Sequence, residues 1–257
     1  MASSARDIAS RIVSASPEEL DALLERYRDD PRKQVAHALE RACKTRESLR
    51  AEKQRVARLY DFQREVGGEG LVLGVDEVGR GAVAGPLTVC AVALPPEPQI
   101  LGINDSKQLM PRRREKIAAC IEDHALALGI CHIPPETIDE LGMAGALRRA
   151  MAAAIDQAGV DPDRVLIDGN PVHVHPREKC IVKGDAKVAA IAAASITAKV
   201  TRDALMDELD ALYPGYCFAT SKGYASREHI DAIKRFGLTP VHRATFCGNF
   251  IESPRLF

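Results

Sequence analysis

An apolar run that ends on two adjacent acids limits this chain more than any other feature. Leu71 to Val75 reads as a buried strand, and Asp76-Glu77 follow at its end, inside Gly74-Val-Asp-Glu-Val-Gly-Arg-Gly81. A second strand, Leu87 to Leu94, is joined to the first by a glycine-rich connection. Arg164 to Ile167 is an apolar strand ending at Asp168-Gly169-Asn170, and Lys179 to Val182 ends at Lys183-Gly184-Asp185. Ile130 to Ile133 reads as a short strand. Between them the spacing predicts helices over Pro111–Leu128, Asp139–Ala158 and Ala186–Leu212. Another runs over Ser226–Phe236 with Gly237 as its stop, and a final helix and tail follow from His242 to Phe257. Strands first, then strands alternating with helices, predict an α/β domain built on a mixed sheet flanked by helices.

The texture before Gly70 is different. Ser16-Pro17-Glu18-Glu19 is a helix start, with a Ser cap, Pro at the first position and acids in the first turn. Leu20, Leu23, Leu24 and Tyr27 follow at helical spacing, and Asp30-Pro31 breaks that helix. A longer helix is predicted from Lys33 to Arg64, with Val35, Ala38, Leu39 and Ala42 on one face. Gly67-Gly68-Glu69-Gly70 is the clearest linker. Residues 1–67 are therefore expected to form a helical N-terminal extension, and residues 70–257 the α/β domain.

Composition narrows the class. No stretch approaches the roughly 20 apolar residues of a membrane span, and the polar N-terminus lacks an apolar signal core. A soluble, cytoplasmic chain is expected. The seven cysteines are odd in number and never form a Cys-x-x-Cys pair, which argues against a disulfide framework and a zinc site. Net charge is −1, but residues 32–58 hold nine Lys/Arg against three Glu. A neutral total with a basic stretch and paired acids suits an enzyme that holds polyanions and binds cations.

Asp76, Glu77, Asp168 and Asp185 lie at or near strand ends, each beside glycine. Carboxylates brought together repel one another, and hard divalent cations remove that cost. Two such ions can activate water and stabilise the leaving oxygen in phosphodiester cleavage. A purely structural role would make them turn formers and caps: Asp168-Gly169-Asn170 is an ordinary turn signal, and Asp185 could simply cap the helix after it.

The combination is more specific than its parts. Gly74-Val-Asp-Glu-Val-Gly-Arg-Gly81, followed by Ala-Gly-Pro-Leu, resembles the signature of the ribonuclease HII family. The resemblance continues, in the family's order, through Asn104-Asp-Ser-Lys-Gln-Leu109, Leu166-Ile-Asp-Gly-Asn170 and Lys183-Gly-Asp185. It then passes through the block Ala192 to Asp203, Tyr213-Pro-Gly-Tyr216, Ser221-Lys-Gly-Tyr-Ala225 and His242-Arg243. It implies a ribonuclease H-like fold and endonucleolytic cleavage of RNA in RNA–DNA hybrids. It also implies incision 5′ of single ribonucleotides embedded in duplex DNA, leaving 5′-phosphates. By motif position, Asp76, Glu77, Asp168 and Asp185 become catalytic metal ligands for Mg²⁺ or Mn²⁺. Gly79, Arg80 and Gly81 become readers of the ribonucleotide–deoxynucleotide junction, and Tyr224 the ring that packs on its deoxyribose side. The physics is consistent. The 2′-hydroxyl distinguishes RNA from DNA, glycine permits close backbone approach, and Arg80 adds a cationic fork for phosphate.

Lys107 resembles a family lysine near the nucleic-acid backbone. Ser195, Lys199 and Arg202 share one side of a helix, where the cations serve either phosphate contacts or salt bridges. Lys222 and Arg243 are plausible phosphate contacts. His173 and His175 read as surface residues, and His242 receives no catalytic role. The sister family ribonuclease HIII shares the acids, but it usually has lysine where this chain has Arg80, and a larger N-terminal domain. Two different classes also fit part of the pattern: a non-catalytic nucleic-acid-binding module and a nuclease for DNA junctions. The expected partners are hybrids and ribonucleotide-containing DNA, bound by a monomer.

Overall fold

A computed structural model describes residues 4–250. Residues 251–257, where the expected tail lies, fall outside the described residues. Strand β1 (Val72–Val78) is the centre of a five-stranded sheet of order β3-β2-β1-β4-β5. β2 (Leu87–Ala93) pairs antiparallel with β1 and with β3 (Ala127–Ile133). β4 (Arg164–Asp168) runs parallel to β1, and β5 (Glu178–Ile181) runs parallel to β4. The sheet is mixed, as its sequence pattern predicts.

The chain divides by compactness into residues 1–55 and 56–257. In the first unit, α1 (Ala5–Ser14), α2 (Pro17–Arg26) and the first part of α3 (Lys33–Gly67) bury Ile8, Ile12, Leu20, Leu23, Val35, Ala38 and Leu39 together. Ser16 caps α2 through the amide of Glu19, and the Glu19 carboxylate accepts in return from the Ser16 amide.

In the second unit helices cover both sheet faces. α5 (Pro135–Gln157) packs one face, where Leu73 and Val75 of β1 meet Ala146, Leu147, Ala150, Met151 and Ala154. α4 (Pro111–His124) and α6 (Ala189–Leu212) cover the other, with Val56, Leu59 and Tyr60 from the end of α3. Among the described residues three further helices follow: α7 (Phe218–Ser221), α8 (Arg227–Phe236) and α9 (Ala244–Cys247). Among the described residues no helix is long and apolar enough to cross a membrane.

Small side chains set the position of α6. Ala189, Ala190, Ala192, Ala193, Ala194 and Ala198 are fully buried. A methyl group on Gly74 would stand 2.6 Å from the carbonyl oxygen of Ala190, so the helix backbone lies directly on β1. The Gln63 side chain accepts from the Ala190 amide (2.8 Å), one of the free donors at the start of α6.

Several boundaries differ from the sequence expectation: β1 runs on through Asp76 and Glu77 to Val78, β3 starts three residues before Ile130, α3 ends at Gly67, and three helices shift for reasons the contacts give. α4 ends at His124 rather than Leu128, because the Leu126 amide already pairs with Ala93 O (2.9 Å) and β3 begins at Ala127. α5 starts at Pro135 rather than Asp139 and is interrupted at Gly142, whose φ of 67° is left-handed. The Asp139 carboxylate instead accepts from the amides of Ala244 (2.7 Å) and Thr245 (3.2 Å) at the start of α9. α6 starts at Ala189 rather than Ala186, because residues 184–186 make a separate 3₁₀ turn.

Candidate active site

The parallel register of β1 and β4 places two acids side by side. Val75 is opposite Ile167, so Asp76 and Asp168 come next on adjacent strands at the same edge of the sheet. Asp76 faces the α6 side, like Gly74 two residues before it. It is buried, its Oδ1 accepts from the Glu77 amide (2.7 Å), and Ser195 of α6, whose hydroxyl donates to Ser106 Oγ (3.1 Å), lines the same cavity. Asp168 Oδ1 accepts from the Gly184 amide (2.6 Å), which brings the turn carrying Asp185 to the same edge. Gly184 must be small, since a methyl there would lie 2.6 Å from Ile191 Cδ1. Asp185 does not cap α6: Val188 holds the cap position, with no side-chain bond.

These groups line one cavity of about 340 Å³, with Asp76, Glu77, Asp168 and Asp185 on its walls. Ser106, Lys107, Ser195, Lys199 and Tyr224 line it too. Of the sequence candidates, Gly79, Arg80 and Gly81 are not on this wall; they form the turn immediately after it. Arg80 is exposed, and its Nη1 lies 3.7 Å from Glu77 Oε1.

Burial and mutual repulsion both disfavour charge on the acids there. Burial, reinforced by Glu77, raises Asp76 well above the usual carboxylate range. Burial also raises Glu77, opposed by Arg80 and assisted by Asp168. Asp185 is raised by burial and by Asp168 and Asp105, with Lys107 opposing. Among the described residues, no group of three or more His, Cys, Asp or Glu is pre-assembled around an ion position. The fit to a metal therefore rests on donor chemistry. Four carboxylates face one cavity, three of them disfavoured as anions, and hard oxygen donors of this kind match Mg²⁺ or Mn²⁺.

Lys107 is exposed at the cavity, on a turn whose amide donates to Asp105 Oδ1 (2.9 Å). Lys199 lines the cavity and is engaged by Asp203 (2.6 Å), the salt bridge that was one of its two sequence readings. Arg243 corrects the sequence reading, and Arg202 takes the fold-holding one of its two readings, through carbonyls rather than a salt bridge. Both are 0% exposed, so neither can meet phosphate. Arg202 donates to Pro86 O (2.8 Å), Lys222 O (2.7 Å) and Ala84 O (3.1 Å). Arg243 donates to Gly85 O through Nε (3.1 Å) and Nη2 (2.9 Å), and to Arg80 O (3.2 Å). The two guanidiniums thus lock the backbone around the Gly79–Gly81 turn. Lys222 is bonded to Asp203 O and to the Asp207 carboxylate.

The two glycines of that turn are small for different reasons. Gly79 has φ 86°, and a methyl there would come 2.8 Å from Arg202 Cζ. At Gly81 a methyl would meet no protein atom within 4 Å. Packing explains the first glycine and leaves the second to whatever approaches from outside. Tyr224 is 39% exposed, with the Arg202 guanidinium 5.7 Å from its ring centroid.

His173 is exposed. The neighbouring loop is organised by Glu178, which accepts from the amides of Val172, His173, Val174 and His175. Burial opposes the charge on Glu178, but those four bonds keep its carboxyl below the usual range. Sequence reasoning quoted Ser106 within a motif without giving it a role, and it missed Arg114. Arg114 donates to Ser106 O (3.1 Å) and lies near Asp203, and no local pattern marks Arg114.

Comparison with known proteins gives a consistent picture. A family model described as Ribonuclease HII matches residues 73–249, and one described as Ribonuclease HII N-terminal domain matches residues 4–67. The ribonuclease HII of Enterococcus faecalis is 40% identical over 228 residues, 88% of this chain and 89% of that protein. The ribonuclease HII of Lachnoclostridium phytofermentans is 44% identical over 227 residues, with 88% and 89% covered. The crystal structure of ribonuclease H2 from Pyrococcus horikoshii matches with a TM-score of 0.61 at 27% identity, covering 71% of this chain and 100% of that one. A structure named Bst-RNase HIII in complex with Mn²⁺ shares the fold at a TM-score of 0.56 and 21% identity, over 68% of this chain and 66% of that one.

Proposed function

The chain belongs to the ribonuclease HII family, and from that premise we propose that it uses divalent metal to incise DNA duplexes 5′ of embedded ribonucleotides, besides cutting the RNA strand of RNA–DNA hybrids. The observation that carries the proposal is the single cavity faced by four carboxylates and by Tyr224. The acids provide for phosphodiester hydrolysis, and the ring provides for recognising the sugar beside the scissile bond. Membership also sets aside ribonuclease HIII as the closer kin and a purely binding module as the class.

Asp76, Glu77, Asp168 and Asp185 would hold the metal. Divalent cations bound by such a set neutralise the carboxylates and supply Lewis acidity to phosphoryl transfer, in a pair where two are held. The chain's own groups do the rest. The Glu77 amide orients Asp76, and the Gly184 amide orients Asp168. Gly81 leaves room for a substrate backbone to come close, so that main-chain groups of the turn can meet a 2′-hydroxyl. Arg80, exposed beside Glu77, can reach phosphate. Tyr224 presents a flat apolar face that tolerates deoxyribose and disfavours an extra hydroxyl. Lys107 and Lys199 supply positive charge along the cavity wall for the strand. In this reading residues 1–67 are a helical extension of the catalytic domain.

The test is product mapping on a duplex with one ribonucleotide, with Mg²⁺ or Mn²⁺. Incision on the 5′ side, leaving a 5′-phosphate on the fragment that begins with the ribonucleotide, is expected. Tight binding without incision would sink the proposal, and robust cutting of an all-DNA duplex would reject recognition through the 2′-hydroxyl.

A further inference from the structure

Two buried histidines form a hydrogen-bonded chain that ends on the main chain of Tyr224. His229 is 0% exposed and His242 5%. The Thr239 amide donates to His242 Nδ1 (2.9 Å), and the Thr239 hydroxyl reaches the same atom (2.8 Å). His242 Nε2 lies 3.1 Å from His229 Nε2. His229 Nδ1 lies 2.9 Å from Tyr224 O.

The partners fix where every proton sits. An amide can only donate, so His242 Nδ1 is an acceptor and its proton is on Nε2. A carbonyl can only accept, so His229 carries its proton on Nδ1 and accepts at Nε2. The chain therefore runs one way, from Thr239 through His242 and His229 to Tyr224 O. It admits only neutral imidazoles, since an added proton would set two N–H groups facing each other. Burial lowers both groups in keeping with this, and His229 adds to the effect on His242, which falls to about 4.

The surroundings hold the pair rigid. Tyr216 and Phe218 stack on each other (5.6 Å) and pack against His242, and Phe218 also meets His229 edge-on (5.1 Å). Both ends of the relay attach to the segment that follows the Gly79–Gly81 turn. The Val83 and Ala84 amides donate to Gly223 O, beside Tyr224. The Gly85 amide donates to Val241 O and the Arg243 amide to Val83 O, on either side of His242.

We propose that His242 and His229 are positioning residues that set the Tyr224 ring at a fixed distance from the Gly79–Gly81 turn, and so determine specificity for the ribonucleotide–DNA junction. The inference rests on the junction role of Tyr224 proposed above. The relay touches no substrate and no metal ligand. It acts by denying the Tyr224 carbonyl any other position.

The experiment compares kcat/KM on two substrates, a single ribonucleotide in duplex DNA and a continuous RNA strand on DNA, for full-length variants with melting curves in parallel. His229→Leu removes the donor to Tyr224 and should lower the single-ribonucleotide to hybrid ratio on the order of tenfold, given how steeply rates respond to misplacement of about 1 Å. His229→Asn keeps an N–H where Nδ1 was and should restore most of the ratio. On a Tyr224→Ala background, His229→Leu should change the ratio no further. If Tyr224→Ala lowers the ratio but a folded His229→Leu protein does not, the relay is overturned and the Tyr224 reading stands. If Tyr224→Ala leaves the ratio unchanged, the junction role fails and this inference fails with it. Should His229→Leu not fold, nitrogen NMR of the histidines in the unmodified protein decides. Neutral His242 protonated on Nε2 with neutral His229 protonated on Nδ1 supports the relay; any other tautomer, or a charged ring at neutral pH, overturns it.

Discussion

Alanine at two glycines of the same turn should separate folding from recognition. Gly79→Ala puts a side chain on a backbone with φ 86°, a left-handed conformation that costs about 1–2 kcal/mol. Its methyl also stands 2.8 Å from Arg202 Cζ. That guanidinium cannot yield freely, because three carbonyls hold it. Losing one of those charge-assisted bonds costs about 1.5–3 kcal/mol. The total is about 3–5 kcal/mol, and at about 2–4 °C per kcal/mol for a chain of this size Tm should fall by roughly 6–20 °C. Gly81→Ala meets no protein atom within 4 Å, and its backbone is outside the left-handed region. Stability should stay level or rise by up to about 1 kcal/mol through the less flexible unfolded chain. Its methyl instead occupies the open space into which the proposed function brings the substrate backbone. A displacement of about 1 Å there should lower kcat/KM on a single-ribonucleotide duplex by about 10²-fold. Thermal melts and incision kinetics on the two purified variants suffice. A fully active Gly81→Ala enzyme would refute close approach of substrate to the turn, and a Gly79→Ala protein melting like the parent would refute the Arg202 lock.

Mg²⁺ should raise Tm of the native chain in calorimetry, by about 2.7 kcal/mol of stability at a hundredfold excess over Kd. Asp76→Asn should lose most of that response along with cleavage, while melting above the native chain in EDTA because a buried repelled carboxylate is gone. Arg202→Met strands Pro86, Lys222 and Ala84 carbonyls, and should cost more than about 3 kcal/mol in chemical denaturation. Arg202→Lys should rescue it poorly, since one ammonium lacks the planar fork. For His242 the folded value is depressed from 6.5 to about 4. The native state then binds fewer protons than the unfolded state between those values, so stability is full above pH 6.5 and is lost as pH falls toward 4. Melts across that window should show the decline, and His242→Asn should flatten it.

The local features of this fold were legible because they rest on short-range physics. The capping box at Ser16 and Glu19 follows from residues three apart, and the break at Asp30-Pro31 from a steric rule between neighbours. The β1 run and the alanine-rich α6 are visible as apolar patterns. Element ends were less legible. α4 gives way early because β3 pairs with β2, a partner distant in sequence, and α5 bends at Gly142, which its surrounding pattern does not reveal.

What the sequence determined by itself was an α/β chain with carboxylates at strand ends and the motif order of the ribonuclease HII family. The tertiary structure decided which of its charged groups face solvent. Arg243 looks like a phosphate contact in sequence and Arg202 admits either that or a fold-holding role, yet both are sealed inside because backbone carbonyls around the glycine turn consume their donors. His229 and His242 look unremarkable, yet their facing nitrogens form a one-way proton-donor chain. Asp185 reads in sequence either as a fourth acid or as a helix cap, and the bond from Gly184 to Asp168 turns it to the acid edge. The physical reason is the same throughout. A side chain's type is written locally, whereas its protonation, partners and exposure are set by elements that meet only when the sheet register and the α6 crossing at Gly74 bring them together.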